Sequence, residues 1–228
     1  FAELLRRINV AVGPAMRVRF TTSYPPDVTP ALAEAMAALP SVCEHIHLPV
    51  QAGSMRTLAH MKRTYTREGY LEKVAMLRAA VPDLAITTDI IVGFPGETDV
   101  DFAETLSLME EVGFDGCFAF KFSPRSGTPA ADLPDQVPEP VKAARLSRVL
   151  ELQRALSLQR NRAVVGRVVE VLVDRGLSKR DSGLAAGRTR QNKIVHFQGG
   201  ELEEGQLVNV EITEATSHHL KGVLIASS

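Results

Sequence analysis

Cysteine is scarce: Cys43 and Cys117 are the only two in 228 residues, and they lie far apart. That count excludes a disulfide framework and any metal centre built from cysteine alone within one chain, and it suits a reducing, cytoplasmic setting. Long apolar runs are also missing. No stretch approaches the about 18 uninterrupted apolar residues of a membrane helix, so no membrane partner is expected. The opening FAELLRRINV reads as an amphipathic helix rather than a leader. Nor is there a charge excess, with 26 basic against 27 acidic residues, so any surface for a polyanion must be a local patch. The glycine turn GFPGET (residues 93–98) lacks both the Lys-Ser/Thr ending of a P-loop and the three-glycine spacing of a dinucleotide site. Glu97 would also repel a phosphate there.

What the chain does have is enough apolar content, 45%, for one large domain or one domain with an appendage. Residues 1–129 alternate strand and helix patterns, as expected for units wound around a parallel sheet. Strands are predicted over 17–22, 45–50 and 86–94, the last apolar at nearly every position, as if covered on both faces. Phe118, Phe120 and Phe122 alternate along another. Thr29 before Pro30, Thr66, and Thr98 with Asp101 have the form of helix N-caps, and Gly113 that of a C-cap. A proline-rich stretch from Pro129 to Pro140 precedes a helix over about 141–163, with Leu146, Val149, Leu152 and Leu156 on one side. Short alternating segments then predict a small antiparallel β-barrel or sandwich. The expected division is 1–140, a bridging helix 141–163, and 164–228.

Chemistry is expected where parallel strands end. Gln51 and Ser54 follow one predicted strand, Gly93 to Thr98 the next, and Ser123 to Thr128 the third, so all three clusters should share one rim. Gly93 and Gly96 allow close backbone approach, and Asp89 could hold a hydroxyl or amine. The alternative is that GFPGET only makes a tight turn. Cys43, His45 and His47 alternate in a way that could gather metal ligands, but no fourth ligand is evident, so they read better as packing residues and no metal site is assigned. Arg125 sits in the last rim loop, suited to a phosphodiester or a carboxylate. In the small domain Arg175, Lys179 and Arg180 flank one turn, and Arg188, Arg190 and Lys193 surround another. Together they could form a basic RNA-binding face, with Asn192 and Phe197 adding hydrogen bonds or stacking. Solvated turns are the plainer alternative.

HIHLPVQAGS, MKRTYTREGY, TTDIIVGFPGETDVDF, FSPRSGTPAADLP and GRTRQNKIVHF, in that order over essentially the whole chain, resemble the tRNA methylthiotransferases, a radical S-adenosylmethionine (SAM) family. The resemblance implies the later units of a partial parallel (β/α) TIM-like barrel followed by a TRAM domain, a small OB-like RNA-binding β-barrel. It implies an enzyme that adds a 2-methylthio group to isopentenyladenosine beside the tRNA anticodon, using SAM and two 4Fe-4S clusters. By position, Gln51 and Ser54 would lie near the SAM ribose, Ile91 to Gly93 near its adenine, Phe120 to Phe122 along the adenine edge, and Arg125 near the substrate entrance. Asp89 completes the expected cofactor set. The family's three-cysteine motif and its auxiliary-cluster domain are absent from this sequence. The chain is therefore expected to be a truncated piece lacking an amino-terminal portion, with no catalytic residue of its own and inactive alone. Sister branches acting on a ribosomal protein or on threonylcarbamoyladenosine in tRNA, and a non-catalytic RNA-binding module, remain alternatives.

Overall fold

The computed structural model describes residues 1–21, 24–177, 184–198 and 202–225. Three parallel strands, β1 (His45–His47), β2 (Ala85–Val92) and β3 (Gly116–Lys121), lie in the order β1-β2-β3. Helices α1 (Ala2–Val12), α2 (Pro30–Ala38), α3 (Met55–His60), α4 (Arg67–Ala80), α5 (Asp99–Val112) and α6 (Glu139–Arg162) accompany them. The caps form as local chemistry dictates. Thr29, Thr66 and Thr98 each accept a backbone N–H two or three residues into the following helix, Thr98 and Asp101 make a reciprocal capping box, and Gly113 closes α5 in the left-handed region.

Three expectations need correction. The predicted strand over 17–22 is only a single bridge between Val18 and Val42 among the described residues. β1 stops at His47, because the chain leaves the ladder through Pro49 and returns only as a bridge from Gln51 to Ile90. β2 is not covered on both faces: Ile86, Thr88, Ile90 and Val92 are buried, whereas Thr87, Asp89 and Ile91 face an open side. Helix α3, capped by Ser54, was not predicted. The core between sheet and helices is built on Ile46, Ile86, Ile90, Leu77, Leu108 and Phe114. The buried side of α6 is more polar than its leucine spacing suggests: Lys142, Arg145, Gln153, Ser157 and Asn161 share it with Val149 and Leu156.

The second domain is a closed five-stranded barrel, β4 (Val168–Val173), β5 (Leu184–Thr189), β6 (Ile194–Gln198), β7 (Leu207–Ala215) and β8 (Leu220–Leu224), in the order β4-β5-β6-β8-β7. All its pairings are antiparallel except β6 with β8. Phe197, expected to stack on RNA, instead fills its core with Val171, Val195, Val210 and Leu220. Close packing leaves no room at Gly187, where a methyl group would overlap the Leu172 carbonyl. Gly187→Ala should therefore cost about 2 kcal/mol, read as a lower denaturant midpoint.

Candidate active site

Parallel strands deliver the residues following them to one edge, and the expected rim exists. Gln51 bridges to Ile90, Gly93 follows β2, and the Phe122 N–H bonds the Val92 carbonyl just past β3. Gln51 has φ 70°, a left-handed conformation that a non-glycine residue adopts at a cost. It is held there by hydrogen bonds from its N–H to the Asp89 carbonyl and from the Ile91 N–H to its own carbonyl. The strained residue lies where the first strand's extension last touches β2, at the mouth of the sheet.

The turns of the rim are tied together by one carboxylate. Asp101 accepts hydrogen bonds from the Ser54 hydroxyl (2.6 Å), from the Thr98 N–H (2.8 Å) and hydroxyl, and from the Arg56 guanidinium, which also donates to the Gly96 carbonyl and the Thr98 hydroxyl. Burial alone would raise the Asp101 acid, but these donors outweigh it and hold the group well below the usual carboxylate range. Ser54, expected beside a ribose, is thus committed elsewhere: its hydroxyl caps α3 and donates to Asp101, and the residue is 1% exposed. The turn at 93–97 is braced from outside by α6. Gly93 donates to the Glu97 carboxylate (2.6 Å), which accepts from Arg145 (2.7 Å), and Arg145 reaches Asp99 as well (2.7 Å). Gly93 has φ 72° and lies against the stem of Lys142, so a side chain would be excluded twice over.

On the open side of the sheet, Asp89 Oδ1 lies 3.4 Å from His47 Nε2, and His47 Nδ1 is 3.0 Å from the Thr87 hydroxyl. Phe118 and Phe120 stand on the same side, 60% and 54% exposed. Phe122 leaves that row and is half-buried against Phe94 and Lys142. Ile91 is half-buried, and Arg125 is exposed. His45 is neutral near pH 7, since burial and then Arg19 push it down to about 4. Among the described residues no three His, Cys, Asp or Glu side chains converge on a metal-sized space. Cys43 is buried and the Cys117 thiol is pushed up to about 12 by burial and then by Asp89. These two residues do not fit an iron-sulfur cluster.

The predicted basic face of the small barrel divides. Lys179 and Arg180 lie outside the described residues. Arg175 is exposed, with a hydrogen bond to the Leu202 carbonyl. Arg190 and Lys193 do not present themselves outward: Arg190 grips both Glu44 oxygens and the Pro40 and Val42 carbonyls, and Lys193 donates to Asp115 (2.6 Å) and Asn161 (2.9 Å). Arg188 is half-buried beside Asn192. In return Arg17 and Arg19 donate to the carbonyls of Arg188, Thr189 and Arg190. Glu44, Asp83 and Asp115 precede β1, β2 and β3, and pair with Arg190, Arg167 and Lys193. The small barrel is therefore docked under the N-terminal ends of the strands, opposite the rim. Arg190→Ala should lower stability by about 1–2 kcal/mol, read as a lower denaturant midpoint.

Comparison with known proteins follows this division. Residues 1–109 match the Radical SAM superfamily and residues 162–225 match the TRAM domain. The chain is 52% identical over 225 residues to the tRNA-2-methylthio-N(6)-dimethylallyladenosine synthase of Thermoanaerobacter sp. (strain X514), covering 99% of this chain and 47% of the relative. It is 51% identical over 225 residues to the synthase of that name from Moorella thermoacetica, covering 99% and 50%. The chain thus spans about half the length of these relatives. Among solved structures, coproporphyrinogen III oxidase (HemN) from Escherichia coli, a radical SAM enzyme, matches with a TM-score of 0.54 at 14% identity, over 100% of this chain and 57% of that one. That likeness concerns the fold.

Proposed function

Since the chain belongs to the tRNA methylthiotransferases, joining a radical SAM segment to a TRAM domain, we propose that it contributes the cofactor rim and an RNA-binding module to an enzyme that adds a 2-methylthio group to N(6)-dimethylallyladenosine in tRNA. The observation that carries the reading is 52% identity extending through both domains to a relative of that name. It favours this substrate over those of the sister branches.

On this reading Gln51, Ile91 and Phe120 hold SAM at the rim, Gly93 shapes the turn behind them, Asp89 lines the wall below, and Arg125 stands near the substrate entrance. Ser54 and Phe122 are not retained as contacts, because the hydroxyl of one and the ring of the other are engaged within the protein. Fit to SAM rests on the strained Gln51 and on the open faces of Ile91 and Phe120, which together line a mouth at the edge of the sheet. SAM supplies radical chemistry when bound beside a reduced cluster. This chain's own residues position the cofactor and substrate. The cluster ligands must come from polypeptide outside this sequence, in keeping with the chain covering about half of each relative. For RNA, Arg175, Lys179, Arg180 and Arg188 remain as contacts, whereas Arg190 and Lys193 serve the domain junction.

Fusing the chain behind the amino-terminal half of the Moorella thermoacetica relative and reconstituting it anaerobically tests the reading. The fusion should convert dimethylallyladenosine in an anticodon stem-loop to a product heavier by one methylthio group in place of hydrogen. A fusion that loads iron and cleaves SAM yet leaves this RNA unchanged would remove the assigned substrate.

A further inference from the structure

The open wall of the sheet is layered. Along β2 and β3, Ile91 pairs with Phe120 and Asp89 with Phe118. Residues two apart share a face, so these pairs form two rows about 7 Å apart on the same wall, the Asp89 row deeper. His47 joins the deeper row, 3.4 Å from Asp89 and with its ring edge-on to Phe118 at 5.8 Å between centroids. The opposite faces of the same strands are packed: Ile90 and Val92 are buried, and Cys117 and Ala119 lie against the core.

Two features of the deeper row call for a ligand. Phe118 leaves 60% of its surface uncovered on the open face of the sheet, beside the partly covered His47 and Asp89. Asp89 is 29% exposed in its side chain, and its Oδ2 atom has no hydrogen-bond partner among the described residues, while Oδ1 faces His47. His47 in turn is fixed by Thr87. An aromatic face beside an anchored carboxylate with one free oxygen suits a purine carrying an N–H and an apolar group together.

We propose that the His47–Asp89–Phe118 row receives the target adenine, Asp89 accepting from its N6–H and Phe118 covering the apolar N6 substituent. This rests on the tRNA reading above and adds the residues that would select the alkylated base. SAM also contains an adenine, but it lacks the apolar substituent, and the proposed SAM contacts lie in the row above. Phe118 is the specificity-determining residue, and His47 positions Asp89.

The chain is titrated with anticodon stem-loops carrying dimethylallyladenosine or plain adenosine, and separately with SAM. The wild type should prefer the alkylated loop by about tenfold, the scale for one apolar group on a one-sided wall. Phe118→Ala should reduce that preference to near unity with little change toward the plain loop or SAM, and Phe118→Leu should restore most of it. Because Phe118 lies outside the core, neither variant should alter the thermal midpoint. An undiminished preference in Phe118→Ala, or equal binding of both loops by the wild type, would overturn the assignment while leaving the tRNA reading intact. Loss of SAM binding alone in Phe118→Ala would reassign the row to the cofactor. Failure of the wild type to bind either loop would remove both the assignment and the RNA role on which it rests.

Discussion

Arg145→Met lowers the unfolding free energy by about 3–5 kcal/mol, the usual cost of removing one partner of a buried ion pair. The Glu97 carboxylate is 1% exposed in its side chain and keeps only the Gly93 N–H as a donor once the guanidinium is gone. Burial already raises the Glu97 acid in the wild type, with Gly93 and Arg145 opposing it, so losing Arg145 raises it further. Between the unfolded and the raised folded pKa the folded variant binds more protons than the unfolded chain. Its stability therefore increases as the pH falls through that window. Denaturant midpoints of wild type and variant should converge as the pH falls from neutral through the raised folded value of Glu97. Glu97→Gln in the same background should recover part of the loss at neutral pH, because an amide is less costly to bury than an unpaired charge. A pH-independent gap between the two proteins would show that Arg145 stabilises by packing alone.

Asp101→Ala should cost about 3–4 kcal/mol, since one substitution removes the capping-box acceptor and strands the donors of Ser54, Thr98 and Arg56. The sign of its pH dependence is opposite to that of the Arg145 variant. A carboxyl held below its unfolded value contributes fully above about pH 4 and loses that contribution only as the pH falls through the depressed folded value. Asp101→Asn should therefore flatten the acid limb of the stability profile, and the difference from wild type should shrink below about pH 3. An acid limb unchanged by the asparagine would assign the acid sensitivity to other carboxylates.

Features set by neighbours in the chain were legible from residue order. Thr29, Thr66 and Thr98 cap because a hydroxyl reaches N–H groups two or three residues on, and Gly113 ends a helix because its backbone tolerates the left-handed region. The rim was legible too, since parallel strands bring their following turns to one edge. What residue order concealed depends on partners far away. Arg17 and Arg190 find theirs some 150 to 170 positions off, and nothing near them separates a junction arginine from a solvated one. The same ambiguity let Ser54 pass for a ligand contact when its acceptor is 47 residues distant. A usable signal did exist in α6: Lys142, Arg145, Gln153 and Asn161 recur at helical spacing beside Val149, which marks a buried face carrying polar groups. The leucines at 146 and 152, only partly buried, obscured it.

α6 runs 24 residues, about 36 Å, with Lys142 and Arg145 against the glycine turn at one end and Asn161 bonded to the Thr216 carbonyl of the small barrel at the other. The helix thus works as a measuring rod. On the function proposed above, an RNA touching both ends would place the nucleotide held by the small barrel several nucleotides from the base offered at the mouth. Lengthening the rod by a turn would shift which base is offered, and leave untouched how tightly the strand is held.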